Sequence, residues 1–402
     1  MRKGLLFAGT ENAVWVSFDD GDHWQSLQLN LPHTSMRDLW IHDDDLIVAT
    51  HGRGFWILDD ITPLRQAGPQ VSVTGSYLFQ PAAAWRVRRS AYTDTPVPPD
   101  EPAAQNPPDG AVIDYFLADA AAPPVTLEIL DAQGKLVRRF ASDDKPEFTP
   151  EEIAKQLIPL YWIRMPKTLS TRAGMHRWVW DLHYPAPAAE RSFPISAVPY
   201  DTPREPLGPD ALPGQYTVRL TANGRVSTAQ LTVKLDPRVT TPQAALEQQF
   251  HLETDLASMM TLSHQALAEA RGLQEQIKVL CGKTSGTLCQ SLTALDQKVG
   301  ALVEAPRGAP DAPPPPPTLS RVNESAGTLY GAIGQADATP TTAQVQAVSS
   351  LAGDFSSVMK QWEAITTADL PALNGKLKAA GLPELRLEAK PDADDAGGSQ
   401  LE

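Results

Sequence analysis

Apolar residues recur along this chain at two different spacings, and the spacing changes near residue 236. Before that point, short apolar bursts alternate with turn residues, and every second residue is apolar within segment 125–129. A period of two is typical of a strand with one buried face. After that point, segment 256–280 places an apolar residue every three or four positions, which is typical of an amphipathic helix. The pattern predicts a β region followed by a helical region.

The β region divides at a proline-rich segment. Residues 67–110 are too rich in proline for a helix or a central strand, and they predict an extended linker. The apolar bursts of residues 1–66 predict short antiparallel strands, and strands spaced in this way are typical of propeller blades. Residues 111–236 predict a small β-sandwich with hairpin turns at 132–134 and 222–224.

The helical region, residues 237–381, predicts a four-helix unit. Its proline-rich loop, residues 306–318, predicts an extended polyproline connection. Thr339-Pro340 predicts the cap and the first-turn proline of the fourth helix. The tail, residues 382–402, predicts disorder because it ends in a stretch rich in Asp and Gly.

Composition narrows the range of partners. The 402 residues carry a formal net charge of −14, from 48 acidic and 34 basic residues, and phosphate binding needs clustered positive charge. No apolar run approaches the roughly 20 residues that cross a bilayer. The apolar run Leu5–Ala8 is too short for a secretory signal. We expect no nucleic-acid partner, no membrane span and no signal peptide in this chain.

The two cysteines, Cys281 and Cys289, flank the first tight turn of the helical region. Two helix ends can meet there within disulfide reach, so a disulfide is one interpretation and two buried free thiols are the other. Their spacing does not match a zinc site, and the chain has no glycine loop that could hold phosphates. Neither a metal nor a cofactor is predicted.

An acidic turn lies between two of the N-terminal apolar bursts. Residues 17–24, SFDDGDHW, place Ser17, Asp19, Gly21 and Trp24 in the pattern S-x-D-x-G-x-x-W. Short polar side chains bond the N–H groups of turns, glycine adopts positive φ, and tryptophan packs over a hairpin. We interpret these four residues as a structural fastening of the turn and not as an active site.

This stretch resembles the Asp-box of bacterial neuraminidase (BNR) repeat proteins. Segment 48–60, VATHGRGFWILDD, resembles the closing strands of sortilin-type and glycoside-hydrolase-like propellers. Strands within 111–236 resemble the immunoglobulin-like domain, related to flagellar hook-capping proteins, that follows such propellers in large secreted bacterial proteins. The resemblance implies a multidomain β plus α protein with partial β-propeller blades over 1–66, an immunoglobulin-like β-sandwich and a C-terminal helical bundle. It further implies that the chain is the C-terminal portion of a longer parent, which is extracellular or periplasmic.

Two functions follow from the resemblance, and both stay open. One is the scaffold or accessory portion of a secreted glycoside-hydrolase-like protein, with catalysis in blades outside this chain. The alternative is a non-catalytic, sortilin-like propeller that binds a peptide or protein. The implied partners are a carbohydrate, a peptide or protein, the missing blades, or a second copy bound through the exposed blade edge. Whether the protein is an enzyme is left open, because a fold alone does not decide function.

No catalytic residue is predicted. Glycoside hydrolysis needs two carboxyl groups roughly 5 to 10 Å apart across the sugar bond, and sequence neighbours on a strand point to opposite faces. None of the acidic clusters at 19–20, 43–45 and 59–60 is therefore such a pair, and the triplet is interpreted as a solvated turn in preference to a calcium loop. His51 and Arg53 are a weaker candidate surface site, because their flanking glycines fit a tight bend equally well.

Trp178 and Trp180 share one face of a predicted strand. Such a strip could stack on a sugar, but packing in the core of the sandwich explains it better. His176 and His183 are isolated, and a lone histidine is more often structural than a ligand.

Overall fold

A computed structural model describes residues 2–68, 71, 74–88, 107–189, 191–196, 198–304 and 316–387. These residues form two compact units. The β unit comprises the described residues of Met1–Tyr184, Ile195–Pro203 and Ala211–Val239, and the helical unit comprises the rest. The prediction of a mixed β and α protein with a helical C-terminal region is confirmed, and the β region includes a curled sheet of half-barrel form.

Two three-stranded antiparallel sheets begin the β unit. Their strands, in sheet order, are β1 (Leu6–Gly9), β2 (Val14–Ser17) and β3 (Gln25–Ser26), then β4 (Met36–His42), β5 (Asp45–Thr50) and β6 (Phe55–Leu58), followed by the short helix α1 (Thr62–Gln66). Alternate residues of a strand point to one face, which brings Val14 of β2 and the pair Leu46 and Val48 of β5 into a shared core. Met36 and Ile61 complete its buried residues.

Two further sheets, one of five strands and one of three, complete the β unit. Their strands are β7 (Ser76–Leu78), β8 (Ala84–Arg86), β9 (Ala111–Leu117), β10 (Thr126–Leu130), β11 (Leu136–Ala141), β12 (Gly174–Trp180), β13 (Gly214–Ala222) and β14 (Arg225–Leu235). The helix α2 (Pro150–Ala154) and a 3₁₀ turn at Leu160–Trp162 lie between β11 and β12. One sheet has the order β11-β10-β13-β14-β8 and the other the order β12-β9-β7, with only the β14–β8 pair parallel. Both sheets contribute to one core that includes Trp180, Tyr115 and Leu220.

Local turn chemistry sets the register of the longest hairpins. Asn223 and Gly224 have φ values of 51° and 73°, the left-handed conformation that both central residues of a type I′ turn require. The β10–β11 turn uses the Asp131 carboxylate, which accepts hydrogen bonds from the N–H groups of Gln133 and Lys135. These turns keep the apolar face of each strand directed into the core.

The helical unit contains one long helix and several shorter ones. The structure describes α3 (Gln243–Cys281), α4 (Thr287–Val303), α5 (Leu319–Gly334), α6 (Thr342–Ala364) and α7 (Leu370–Ala379), with a π-helical turn at Ile365–Asp369 between the last two. The buried residues of α3 recur every three or four positions, as in Leu256, Met260 and Leu267. They share one core with buried residues of the other helices, including Leu292 and Trp362.

The helix α6 starts two residues later than predicted. Thr341 is its N-cap, because Thr341 Oγ1 accepts a hydrogen bond from the Gln344 N–H at 3.2 Å and Gln344 Oε1 accepts one from the Thr341 N–H at 2.8 Å. This reciprocal capping box satisfies two N–H groups at the helix end. The prediction that Thr339-Pro340 forms the cap and first-turn proline is wrong, because the capping box makes the helix begin after Thr341.

Several predicted segments fall partly outside the described residues. The strands β7 and β8 lie inside 67–110, the predicted linker. They pair into the three-stranded sheet β12-β9-β7 and the five-stranded sheet, and Leu78 and Ala84 are buried there. Residues 89–106 of that linker, residues 306–315 of the predicted polyproline loop and residues 388–402 of the predicted tail lie outside the described part. Among the described residues, no helix is both long enough and apolar enough to cross a membrane.

Candidate functional site

The turn that follows β2 is held by the side chains of Ser17 and Asp19. Ser17 is fully buried, and its Oγ accepts a hydrogen bond from the Gly21 N–H at 2.9 Å while donating one to Asp19 Oδ1 at 2.9 Å. Asp19 Oδ1 also accepts from the His23 N–H at 2.9 Å, and Asp19 Oδ2 lies 2.7 Å from His23 Nδ1. Both carboxylate oxygens are therefore occupied by groups of the same turn.

The backbone of this turn needs left-handed residues. Asp20 and Gly21 have φ values of 61° and 100°, a region that glycine and short polar residues tolerate best. The Asp20 N–H donates to the Gly4 carbonyl at 3.1 Å, which ties the turn to the chain just before β1. A Cβ atom at Gly21 would stand 3.6 Å from Trp24 Cζ2, so the indole lies over the glycine. Ser17, Asp19, Gly21 and Trp24 thus form one closed turn.

The pKa of Asp19 also supports a structural role for this residue. The His23 N–H, then the His23 imidazole and the Ser17 hydroxyl, lower the pKa of Asp19 to about 2. A general acid or base works best when its pKa lies near the operating pH. A carboxylate that stays ionised and hydrogen-bonded within its turn is poorly suited to that work.

His51 and Arg53 lie in the tight turn between β5 and β6. Gly52 and Gly54 have φ values of 73° and 72°, and the Thr50 N–H and hydroxyl both donate to the Gly54 carbonyl, at 3.1 and 2.7 Å. The His51 N–H donates to the Ser35 carbonyl at 2.9 Å. Both glycines are thus required by the bend, and the side chains of His51 and Arg53 are exposed on it.

Acidic residues at 43–45 and 59–60 also form hydrogen bonds that hold the backbone of nearby turns. Asp45 Oδ1 accepts from the Asp60 N–H at 2.9 Å, and Asp60 Oδ1 accepts from the Thr62 N–H at 3.0 Å. The guanidinium of Arg65 bonds the Asp44 carboxylate and the Asp43 carbonyl. These contacts join the β4–β5 turn to the chain after β6.

An ion pair that sequence reasoning missed links the neighbouring strands β9 and β12, and its arginine also bonds the chain after β6. Arg177 on β12 faces Asp114 on β9, and its Nε and Nη2 donate to the two Asp114 oxygens, each at 3.0 Å. The same guanidinium donates to the carbonyls of Asp59 at 2.6 Å and Asp60 at 2.8 Å. The available signal was Asp114 itself, a single charge inside the apolar run AVIDYFL.

Burial and mutual contact shift the pKa values of both members of this pair. Asp114 is only 5% exposed, and its burial raises the pKa of its carboxyl although Arg177 hydrogen bonds and charge oppose that shift. Burial would by itself lower the pKa of Arg177, but the Asp114 hydrogen bonds and charge raise it overall. The guanidinium therefore stays charged, and the two-point geometry is that of a guanidinium–carboxylate pair.

The tryptophans and histidines of β12 have structural partners. Trp180 is fully buried, and its Nε1 donates to the His183 carbonyl at 3.0 Å. Trp178 packs against the same core, with its ring centroid 4.9 Å from that of Phe140. His176 Nε2 lies 2.6 Å from the Arg172 carbonyl oxygen. None of these side chains forms an exposed sugar-stacking strip.

A disulfide bond joins Cys281, the last residue of α3, to Cys289 in the first turn of α4. The bond closes a loop with a sequence separation of eight residues. Gly286, inside that loop, has a φ of 70° and precedes α4. The disulfide is thus a local clamp on the turn between two helices.

Two open depressions lie on the described surface of the helical unit. One of about 640 Å³ lies beside the disulfide, and its lining includes Arg271, Glu275, Lys278 and Asp296. Another of about 420 Å³ lies on α6 around Phe355, Met359 and Trp362. Both are open to solvent, unlike the enclosed clefts that bury most of a small ligand. Within the described ranges, no group of three or more His, Cys, Asp or Glu side chains is arranged to hold a metal ion.

Comparison with known proteins adds no relative: no protein-family model matches the chain, and no curated protein matches it. The likeness to BNR-repeat proteins therefore rests on residues 17–24 and 48–60 themselves. The structure gathers Ser17, Asp19, Gly21 and Trp24 into one turn and places His51 and Arg53 in another.

Proposed function

We propose that this chain is the scaffold and accessory portion of a secreted, glycoside-hydrolase-like BNR-repeat propeller protein and has no glycosidase site of its own. The observation that carries the proposal is the closed hydrogen-bonding of Asp19. Its two oxygens bond Ser17 and His23 within one turn, as a fold-fastening residue would. The residues of the motif therefore have structural roles in the turn, and we assign no catalytic role to any of them.

The arrangement of sheets supports the proposed class. The sheets β1–β3 and β4–β6 are small, antiparallel and share one core, as partial blades would. The five-stranded sheet and the sheet β12-β9-β7 share a separate core, as the layers of an immunoglobulin-like sandwich do. The helical unit would then be the accessory bundle.

The acids of the β unit support the absence of catalysis in this chain. A glycosidase needs a protonated carboxyl beside the leaving oxygen, which requires a raised pKa and access to the sugar. The pKa of Asp19 is lowered, whereas Asp114, whose pKa is raised, is buried and bonded by Arg177. Neither residue combines the two requirements.

The test is an activity assay on the purified chain. We expect no turnover of β-glucans, xyloglucan or sialosides, before or after Asp19→Ala. Asp22→Ala is the matched control, because it removes an equal charge from the same turn and Asp22 contributes only its backbone N–H to the turn. Turnover that disappears on replacing one carboxylate within 2–66, at unchanged melting temperature, would show that the site is here.

A second function, binding of a peptide or protein by a sortilin-like propeller, is supported by a different observation. Trp40, Phe55 and Ile57 are large apolar side chains that β4 and β6 leave exposed. Aromatic side chains on a surface are frequent anchors of protein interfaces. Tryptophan fluorescence of the chain, titrated with a library of apolar peptides, tests this function: saturable shifts that Phe55→Ser removes, with all tryptophans retained, would support it.

A further inference from the structure

The sheet β4–β6 has one buried face and one apolar exposed face, which we name the outer face. Trp40, Ile47 and Ile57 form a row across its three strands, because Trp40 pairs with Ile47 and Ile47 pairs with Ile57. Phe55, paired with Ala49, lies in the adjacent row. Trp40 is 66%, Ile57 53% and Phe55 78% exposed. The exposed apolar side chains are therefore contiguous.

The outer face differs from ordinary protein surface because its exposed apolar side chains are contiguous. Single exposed apolar residues are common on soluble proteins, but a contiguous apolar patch marks an interaction site. An antiparallel sheet with one face in water normally alternates apolar and polar residues. Here Leu46 and Val48 fill the core on one side of β5, while Ile47 and Ala49 continue the apolar surface on the other. The outer face therefore has the composition of a buried layer.

The two ends of the outer face differ in charge. The end at the β5–β6 turn carries Arg53 and, at the start of β4, Arg37, with Asp38 as the acidic residue beside them. The opposite end, at the β4–β5 turn, carries Asp43, Asp44 and Asp45, and Arg65 neutralises part of this cluster. One end is thus net positive and the other net negative.

We propose that the outer face binds the outer face of a second copy of this chain. A two-fold axis in the plane of the interface, perpendicular to the strands, reverses the strand direction and keeps the strand order. It stacks the row of Trp40, Ile47 and Ile57 on the same row of the copy, about 10 Å away, as packed sheets stack. It also sets Arg53 of each copy over the acidic end of the other, which makes the face self-complementary.

The size of the face sets the strength of this dimer. Three strands about 4.8 Å apart and some five residues long give a face of roughly 14 by 17 Å. A standard interface buries about 800 Å² on each partner, so this contact is small. The dimer is therefore weak and in exchange with the monomer. It rests on the geometry and charges of β4–β6 and does not depend on the proposed membership of a propeller family.

The test is sedimentation equilibrium of the full chain from about 1 to 500 µM at low salt. We expect the mass to rise with concentration from 43.5 kDa towards twice that value. Trp40→Glu should weaken association at least about tenfold, because it places a charge at the centre of the face. Trp85→Glu is the matched control: Trp85 is 47% exposed on β8, outside the outer face, and its replacement should leave association unchanged.

A double-mutant cycle tests the orientation. Arg53→Gln and Asp43→Asn each remove one end charge, and Asn tolerates the left-handed conformation of Asp43, whose φ is 50°. We expect each to weaken the dimer about threefold at low salt, and the double variant to be no weaker than either single one. Independent losses that multiply would overturn this two-fold arrangement.

Two results would overturn the whole proposal. One is a chain that stays monomeric across the concentration range. The other is a dimer that Trp40→Glu and Phe55→Glu leave intact, which would place association at a strand edge instead. Circular dichroism of each variant checks that it is folded, and Phe55→Glu serves in place of Trp40→Glu should the latter unfold.

Discussion

The β unit and the helical unit use charged side chains differently. In the β unit, charged groups tie chain segments to one another: Asp19 closes a turn, Arg65 joins α1 to the β4–β5 turn, and Arg177 joins β9, β12 and the chain after β6. In the helical unit, one large apolar core joins all the described helices, and polar side chains cap helix ends, as Thr318 and Thr341 do.

The difference has a physical origin. A helix satisfies its own backbone groups except at its ends, so polar side chains are needed mainly as caps. Short strands joined by tight turns leave many N–H and carbonyl groups unpaired, and nearby carboxylates and guanidinium groups satisfy them. Clustered acids in a small-sheet protein are therefore weak evidence for catalysis unless their hydrogen bonds have been traced.

We expect the largest loss of stability when the buried ion pair of the β unit is removed. Arg177→Ala should cost at least about 3 kcal/mol of unfolding free energy, because it leaves the Asp114 carboxylate buried and unpaired. Urea unfolding followed by tryptophan fluorescence measures the loss. Adding Asp114→Asn to this variant should recover part of it, because a neutral amide is cheaper to bury.

The control for this experiment is Arg139→Ala. Arg139 pairs with Asp144 at 3.4 Å with both side chains more than two-fifths exposed, and such surface pairs contribute little. Equal losses for Arg177→Ala and Arg139→Ala would contradict the role assigned to the buried pair.

An intermediate effect is expected in the helical unit. Replacing Cys281 and Cys289 together by serine should cost about 2 to 3 kcal/mol by the loop-closure estimate for a bridge of this sequence separation. The helical circular dichroism signal, followed during urea unfolding, measures it. A reducing agent should destabilise the unmodified protein by a similar amount and leave the double variant unchanged; a reducing agent without effect would argue against the bond.

The smallest effect concerns the Asp19 turn and its pH dependence. Asp19→Ala should lower the melting temperature of the β unit by a few degrees at neutral pH, because it removes acceptors from His23 and Ser17. The pKa of Asp19 is about 2 in the folded chain and about 3.9 in an unfolded one, so its stabilisation is complete above pH 4. We expect the difference between the two proteins to disappear as the pH falls from 4 towards 2.

Asp22→Ala is again the comparison for this variant. It changes the charge by the same amount, while the Ser17–Asp19–His23 bonds stay intact. A pH profile of Asp22→Ala that matches that of Asp19→Ala would show that net charge, and not the turn contacts, causes the effect.

Much of the architecture was predictable because the spacing of apolar residues within short segments indicates strands or helices. The alternation at 125–129 and the three-to-four spacing at 256–280 predicted strands and a helix, and the structure contains β10 and α3 there. The start of α6 was missed because Thr339 and Thr341 are both acceptable caps by composition. Only the position of Gln344, which completes the capping box, separates them.

The sequence by itself determined the β and helical regions and the residues of the turn at 17–24, because strand alternation, helix spacing and turn contacts all act over fewer than ten residues. Only the tertiary structure decided that Asp114 meets Arg177, that β7 and β8 join the sheets of β9 and β14, and that Trp40, Ile47 and Ile57 align across three strands. These contacts join residues far apart in the chain. Their geometry depends on which strands pair and in what register, and no local pattern encodes that choice.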